Sequence, residues 1–498
     1  MNVNPITRLD YPDPDVIRVE DTYYMVSTTM HFMPGCEILQ SFDLVHWEHV
    51  TYVYETLDHT DAQQLKSGHN IYGQGMWAAS LRYHEGRFYI CFVANDTRKT
   101  YLYTSEKIDG PWKKQLIEGF YHDGSLLFDE DGRNYIVYGN DEIWITELNE
   151  DLTAPKKDGL HRLLVSDHKN PELGYEGSHI QKINGYYYIF LIHSLRDRWM
   201  RTEACFYSDS LEGEFTGGDV LCDDRGYCGQ GVAQGGIVDT PDGKWYAMLF
   251  QDSGAVGRIP ILVPVTWKDH FPVFGQNGHV PEEIEVHSTR PGYIYQPLVG
   301  SDDFCNGLLP RWQFNHDPDP RYYHLDALQG TYTITTREVC TELTQAVNTL
   351  TQRMSYPSCA AEVTVDASAL KEGDVAGLCA LQSCYAAVGI TKHHGKYEVL
   401  MLDKKEDGIL DMTEGTVVES HQMDFRLEAD FCNMKDEARC YYRVNKGDWL
   451  PIGTVHKLYF KLDHFTGCRF GLFCYAAEET GGSACFRDFK YYDVDEIS

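Results

Sequence analysis

Five segments in the first half of this chain share one layout, and that repeat restricts the possible folds more than any other feature. They read DPDVIRVEDTYYMVS from Asp13, WAASLRYHEGRFYICF from Trp77, DGSLLFDEDGRNYIVYG from Asp123, EGSHIQKINGYYYIFL from Glu176 and QGGIVDTPDGKWYAML from Gln234. Each is a leading polar or aromatic residue, a short apolar strand, a tight turn and an aromatic strand. In four of them a glycine falls nine residues after the leading residue (Gly86, Gly132, Gly185 and Gly243), and in the first Thr22 holds that place. Glu-Gly, Asp-Gly and Asn-Gly between apolar runs predict β-hairpins, because the turn needs positive φ. The copies begin 64, 46, 53 and 58 residues apart, a spacing that fits four-stranded propeller blades and not shorter helical or leucine-rich units. A second element, Ser followed by an acidic residue and an aromatic, recurs at Ser41–Trp47, Ser105–Trp112 and Ser208–Phe215 and predicts a later strand of the same unit. A β-sandwich with regular hairpins is the competing architecture, but it gives no reason for a nine-residue offset kept four times.

The reading is a five-bladed propeller over residues 1–275. A Pro- and Gly-containing connector covers 276–300, and a second β-rich domain covers 301–498. Alternating stretches at 360–365, 397–402 and 456–461 predict strands of a β-sandwich, so the whole chain is all-β. No catalytic arrangement is visible in this second domain. With 43 Lys+Arg against 75 Asp+Glu the net charge is −32, which disfavours nucleic acid and anionic membrane surfaces as partners. The best apolar run has seven residues, Tyr186–Ile192, far short of a membrane span. Fifteen cysteines, an odd number with no C-x-x-C pair, suit free thiols better than a disulfide framework. Residues 1–18 show no signal-peptide pattern, so a cytoplasmic protein is expected.

In a propeller the five leading residues crowd the central axis at one face. Individually each has a plain structural explanation: Asp13 lies between two prolines, Trp77 fits a core, and Asp123 and Glu176 each precede a glycine. Together, three carboxylates at equivalent positions repel one another, and chemistry gives a reason to keep them. Hydrolysis of a glycosidic bond needs one carboxylic acid to protonate the leaving oxygen and one carboxylate acting from the other face of the ring. Asp13 from the first blade and Glu176 from the fourth face each other across the axis. The charge of neighbouring Asp123 is expected to raise the Glu176 pKa and keep it protonated.

These residues resemble glycoside hydrolase family 43, the β-xylosidase and α-L-arabinofuranosidase group. YPDPDVIRVEDTYYMVSTT, GFYHDGSLLFDEDG and GYEGSHI are similar to the motifs that carry the family's general base, pKa-tuning aspartate and general acid, which implies those roles for Asp13, Asp123 and Glu176. The resemblance also implies a five-bladed propeller, inversion at the anomeric carbon, and carboxyls roughly 6.5–9.5 Å apart. FMPG resembles the loop giving an aromatic wall, implying Phe32. GMWAASL implies Trp77 in the sugar pocket, and VGRIPILVPVTW implies Arg258 as a substrate contact. LLPRWQFNHDPDPRYYHLDALQG and GGSACFRDFKYYD resemble the family's concanavalin-like sandwich, in which a structural calcium is a candidate and Asp488 a candidate ligand.

Gln234 stands where several relatives have a histidine, and it is expected to serve as a substrate-binding residue through hydrogen bonding. Glutamine is the poorer ligand, so a metal on the axis stays open and no cofactor is required by this reading. The expected substrate is a xylo- or arabino-oligosaccharide. The sequence does not choose between the two sugars and leaves homo-oligomerisation open. Two rival functions follow from the same residues: a non-catalytic carbohydrate-binding propeller, and a sugar phosphorylase. The second would want an Arg/Lys/His cluster near the axis, of which only Arg258 is evident.

Overall fold

The computed structural model describes residues 2–493. Five sheets follow one another around an axis, each built from one repeat. Their inner strands include Asp15–Val19, Met76–His84, Ser125–Phe128, Glu176–Ile183 and Ile237–Asp239, which form a ring, the last two joined through Gln181 and Ile237. Turn chemistry sets the hairpins. Two-residue turns at Glu85-Gly86 and Asn184-Gly185 have positive φ at both positions, as the twist of the flanking strands requires.

Between the inner strands the axis is filled by polar side chains instead of apolar ones. Asp15 accepts hydrogen bonds from Leu81 N–H (2.7 Å) and Arg82 Nη1 (2.8 Å) and lies 3.1 Å from His179 Nδ1. Arg82 Nη2 donates to Ser125 Oγ (2.6 Å), which also accepts from Ile180 N–H. Gln181 Nε2 donates to the Ile237 carbonyl at 2.7 Å, and the ring closes where Arg18 pairs with Asp239 at 2.5 Å. Buried polar groups are tolerable only when paired in this way.

The Ser-acidic-aromatic elements are turns, not strands: Ser41, Ser105 and Ser208 each end the third strand of a blade. In the first, Ser41 Oγ accepts from Leu44 N–H while Asp43 Oδ1 accepts from Val45 and His46 N–H, so side chains take the ladder's backbone donors.

The second domain is a sandwich of a nine-stranded and a seven-stranded sheet. Ser358–Asp366 and Lys396–Lys404 contain two of the expected strands. The third ends early, at Lys457 of Leu450–Lys457, where Leu458 turns inward and its N–H bonds the Asp436 carbonyl. The two domains share a core. Ala255, Val256 and Ile259 of the fifth blade are buried in one cluster with Leu350, Phe470 and Leu472 of the sandwich. The strand Phe32–Met33 leaves the first blade to pair with Gln313–Asn315 in the nine-stranded sheet.

Candidate active site

All five leading residues line one cavity of about 220 Å³ at an end of the propeller axis. Their backbones reach it by an uncommon conformation: Asp13, Asp123 and Gln234 have φ of 53°, 48° and 64°. Left-handed backbone at residues other than glycine costs free energy, and three instances around one cavity mark a place where side-chain direction outweighs local comfort. Buried hydrogen bonds hold these turns. Gly177 N–H donates to Asp123 Oδ2 (2.9 Å), and Gln234 N–H donates to Oε2 of the fully buried Glu203 (2.7 Å).

Asp13 has both oxygens engaged, one by Thr28 Oγ1 at 2.5 Å and the other by Arg258 Nη1 at 2.6 Å. Arg258 Nε reaches Asp252 Oδ1 at 3.2 Å, and the other oxygen of Asp252 takes Arg201 Nε at 2.7 Å. Glu176 Oε2 accepts from Asn140 Nδ2 at 2.7 Å. His122 Nε2 lies between two acids, 3.5 Å from Asp123 Oδ2 and 3.7 Å from Glu176 Oε2. Burial pushes the Asp123 carboxyl up to about 6; the His122 charge opposes this, and the charges of Glu176 and Asp13 add to it. Burial disfavours the His122 cation, but Asp123, Glu176 and Asp13 together raise it to about 9.

Glu176 departs from expectation. Burial raises its pKa, yet the adjacent His122 cation, with Arg201 and Arg258 behind, outweighs burial and holds it below the usual carboxylate range. The sequence pointed to Asp123 as its controlling neighbour, whereas in the structure the stronger neighbour is a cation. His122, not Glu176, therefore carries the cluster's proton at neutral pH.

Phe32 is the second correction. Drawn into the sandwich sheet, it is buried under the Arg469 guanidinium, 3.4 Å from the ring centre, and does not line the cavity. The aromatic wall is Phe465, from a loop of the second domain in which the sequence showed no site. Its ring lies 3.8 Å from the Arg258 guanidinium and edge-to-face with Trp77 at 5.1 Å. Leu462 of the same loop, Leu173 and Trp199 complete the rim.

Sequence reasoning also missed His122, Asn140 and Arg201. His122 carried a signal, being a basic residue next to a leading acid, and Arg201 sits at the start of the blade's third strand in RWMR. Phe465 carried none, since only tertiary structure brings it here. Arg258, expected to contact substrate, is engaged by two carboxylates.

Among the described residues, His122, Asp123 and Glu176 form the one set of three side chains whose ligand atoms lie within 4.8 Å of one another. Those atoms already hold one another through charge, His122 Nε2 lying 3.5 Å and 3.7 Å from the two acids. Asp488 lines a surface recess with Asp302 and Asp303, at the other domain's edge.

The family model described as Glycosyl hydrolases family 43 matches residues 3–272, and the one described as Beta xylosidase C-terminal Concanavalin A-like domain matches 301–492. A Beta-xylosidase of Formosa agariphila is 26% identical over 99% of this chain and 89% of its own length. A non-reducing end alpha-L-arabinofuranosidase of Bacteroides ovatus is 24% identical over 82% of this chain and 79% of its own. The solved structure of a bifunctional GH43-CE protein of Bacteroides eggerthii superposes with a TM-score of 0.92 at 42% identity; it covers all of this chain, which spans 64% of that longer one.

Proposed function

The chain belongs to glycosyl hydrolase family 43 and is a glycosidase, and from that premise we propose that it removes single terminal β-D-xylosyl or α-L-arabinofuranosyl units from plant-cell-wall oligosaccharides, with inversion. One observation carries this reading: three carboxylates from three blades, Asp13 and Asp123 buried and Glu176 partly buried, meet in a cavity of about 220 Å³, closed on one side by Phe465 and Leu462. That volume suits one sugar ring and not a chain, which favours exo action.

In this mechanism Asp13, oriented by Thr28 and Arg258, takes a proton from the water that attacks the anomeric carbon. Glu176, on the facing blade, protonates the departing glycosidic oxygen. Its proton comes from His122: a bound sugar displaces water from the cluster, raises the cost of charge on Glu176, and moves the shared proton onto its carboxyl. Asp123 orients the pair through Gly177 N–H and keeps His122 charged until then. Trp77 packs against the sugar face, and the Gln234 side chain sits beside it on the fifth blade. Fifteen free cysteines support action in a reducing compartment.

A phosphorylase would need cations available for phosphate. The structure supplies more cations than the sequence suggested, but Arg258 is engaged by Asp13 and Asp252 and His122 by Asp123 and Glu176. That leaves only the outer nitrogens of Arg201, already paired to Asp252 through Nε, in a cavity lined by three acids. The test is turnover of 4-nitrophenyl β-D-xyloside and α-L-arabinofuranoside with and without phosphate, with NMR of the first-formed anomer. Phosphate-independent release of the inverted sugar is expected. A sugar phosphate product, or binding without turnover, would refute the reading.

A further inference from the structure

We infer that Arg201 selects the terminal sugar, donating from its terminal guanidinium nitrogens to one of the sugar's hydroxyl oxygens. The inference rests on the glycosidase reading above and adds the residue that recognises the substrate. Arg201 lines the cavity and is 1% exposed, yet among the described residues only its Nε has a hydrogen-bond partner, Asp252. Nη1 is buried with no acceptor, and Nη2 makes no hydrogen bond. A buried cationic donor left unpaired is costly, and the group best placed to satisfy it is whatever fills the cavity.

Arg258 makes the contrast. It lines the same cavity, but Nη1 is engaged by Asp13 and Nε by Asp252, so its geometry orients the base. Asp252 thus bridges two arginines, fixing one to the catalytic carboxylate and aiming the other at the substrate. Trp199 lies 5.2 Å from the Arg201 guanidinium and restricts its plane.

The charge balance indicates the kind of acceptor. Two cations, Arg201 and Arg258, face two carboxylates, Asp13 and Asp252, so the pair is already neutralised. Glu176 also feels both arginines. A carboxylate on the sugar would add an uncompensated charge beside three acids, whereas a neutral hydroxyl adds none. The sugar that Arg201 takes is therefore uncharged, not a uronic acid.

The test uses nitrophenyl glycosides in which each hydroxyl of the terminal sugar is replaced in turn by hydrogen, with the wild-type enzyme, Arg201→Gln and Arg201→Lys. The wild type should lose about 10- to 100-fold in kcat/KM at one position, the range for a hydrogen bond to a charged donor. In Arg201→Gln that ratio should fall to within about threefold of one, with the parent substrate reduced by a similar factor. Arg201→Lys, which can keep the Asp252 pair but not the fork, should behave in the same way. A purely structural role would lower all substrates equally, and an unchanged ratio in both variants would overturn the inference. So would preference for a uronic-acid glycoside over its neutral parent. If neither variant folds, the wild-type series decides: tenfold or more at one hydroxyl supports the inference, and indifference at all of them overturns it. Wild-type enzyme inactive on every parent glycoside would instead defeat the substrate reading, and this inference with it.

Discussion

Replacing His122 with asparagine should narrow the pH profile from both sides. The active cluster needs one proton on the His122–Glu176 pair and a negative Asp123. That proton is lost as pH rises through about 9, where His122 titrates, and Asp123 is neutralised as pH falls through about 6. The wild-type window is therefore about three decades of proton concentration wide. His122 lies 3.5 Å and 3.7 Å from the two acids, and a unit charge near 4 Å at an effective dielectric of about 20 is worth on the order of 4 kcal/mol, or roughly a thousandfold in a proton equilibrium. Removing the cation takes that attraction from both carboxylates. The acid limb should move up, because Asp123 loses the charge that opposes its burial. The alkaline limb should move down, because it then belongs to Glu176 itself. The assay is kcat/KM on the better nitrophenyl glycoside from about pH 4 to 10 at constant ionic strength. A profile with both limbs unmoved would refute the assignment of the catalytic proton to His122, even if the maximum rate fell.

The leaving group should separate the two catalytic carboxylates: Glu176→Gln loses far less on a nitrophenyl glycoside, whose phenolate departs unprotonated, than on xylobiose. Asp13→Asn should lose several orders of magnitude on both, and equal losses for the two variants on both substrates would contradict the assigned roles. Phe465→Ala should open the cavity to the sandwich side and remove a buried ring held against Arg258, lowering kcat/KM by about 10- to 30-fold. It should also lower the melting temperature, since truncating a buried Phe costs about 3–5 kcal/mol. The domain interface should weaken in acid. His464 and His316 are buried and their pKa values are pushed down to about 4 and about 3, and His31, packed against both, is also held well below the usual range by burial. Each is neutral when folded and takes a proton near pH 6.5 when unfolded, so stability falls as pH drops below 6.5; at pH 5 His464 alone costs about 2 kcal/mol. Calorimetry at pH 7 and 5 on wild type and His464→Asn tests this, and an equal loss in both proteins would count against it.

The propeller was legible because its information is local. A hairpin turn, the aromatic strand after it and the residue before the inner strand recur in every copy, and symmetry carries equivalent positions to one place. Asp13, Trp77, Asp123, Glu176 and Gln234 share a cavity for that reason. The Ser-acidic-aromatic elements misled because side-chain capping and strand patterning use the same residues: Ser41 and Asp43 end a strand by taking its backbone donors.

What repeat logic could not supply is whatever breaks the symmetry. Position gave three acids, and an acid among acids predicts a raised pKa for Glu176; the sign reverses because His122, one residue outside the repeat-equivalent position, adds a charge of the other sign. Phe32 and Phe465 exchange roles for a similar reason. Once Phe32–Met33 joins the sandwich sheet its ring belongs to the interface, and the ring that lines the cavity is Phe465, from the second domain. Its place is tightly specified: Asp10 accepts from Arg258 N–H and from Gly467 N–H, each at 2.8 Å, so one buried carboxylate sets the arginine and the Phe465 loop together. A propeller carrying all five leading residues would still lack its pocket wall without the sandwich. The second domain is part of the candidate site, and the sequence of the first cannot say so.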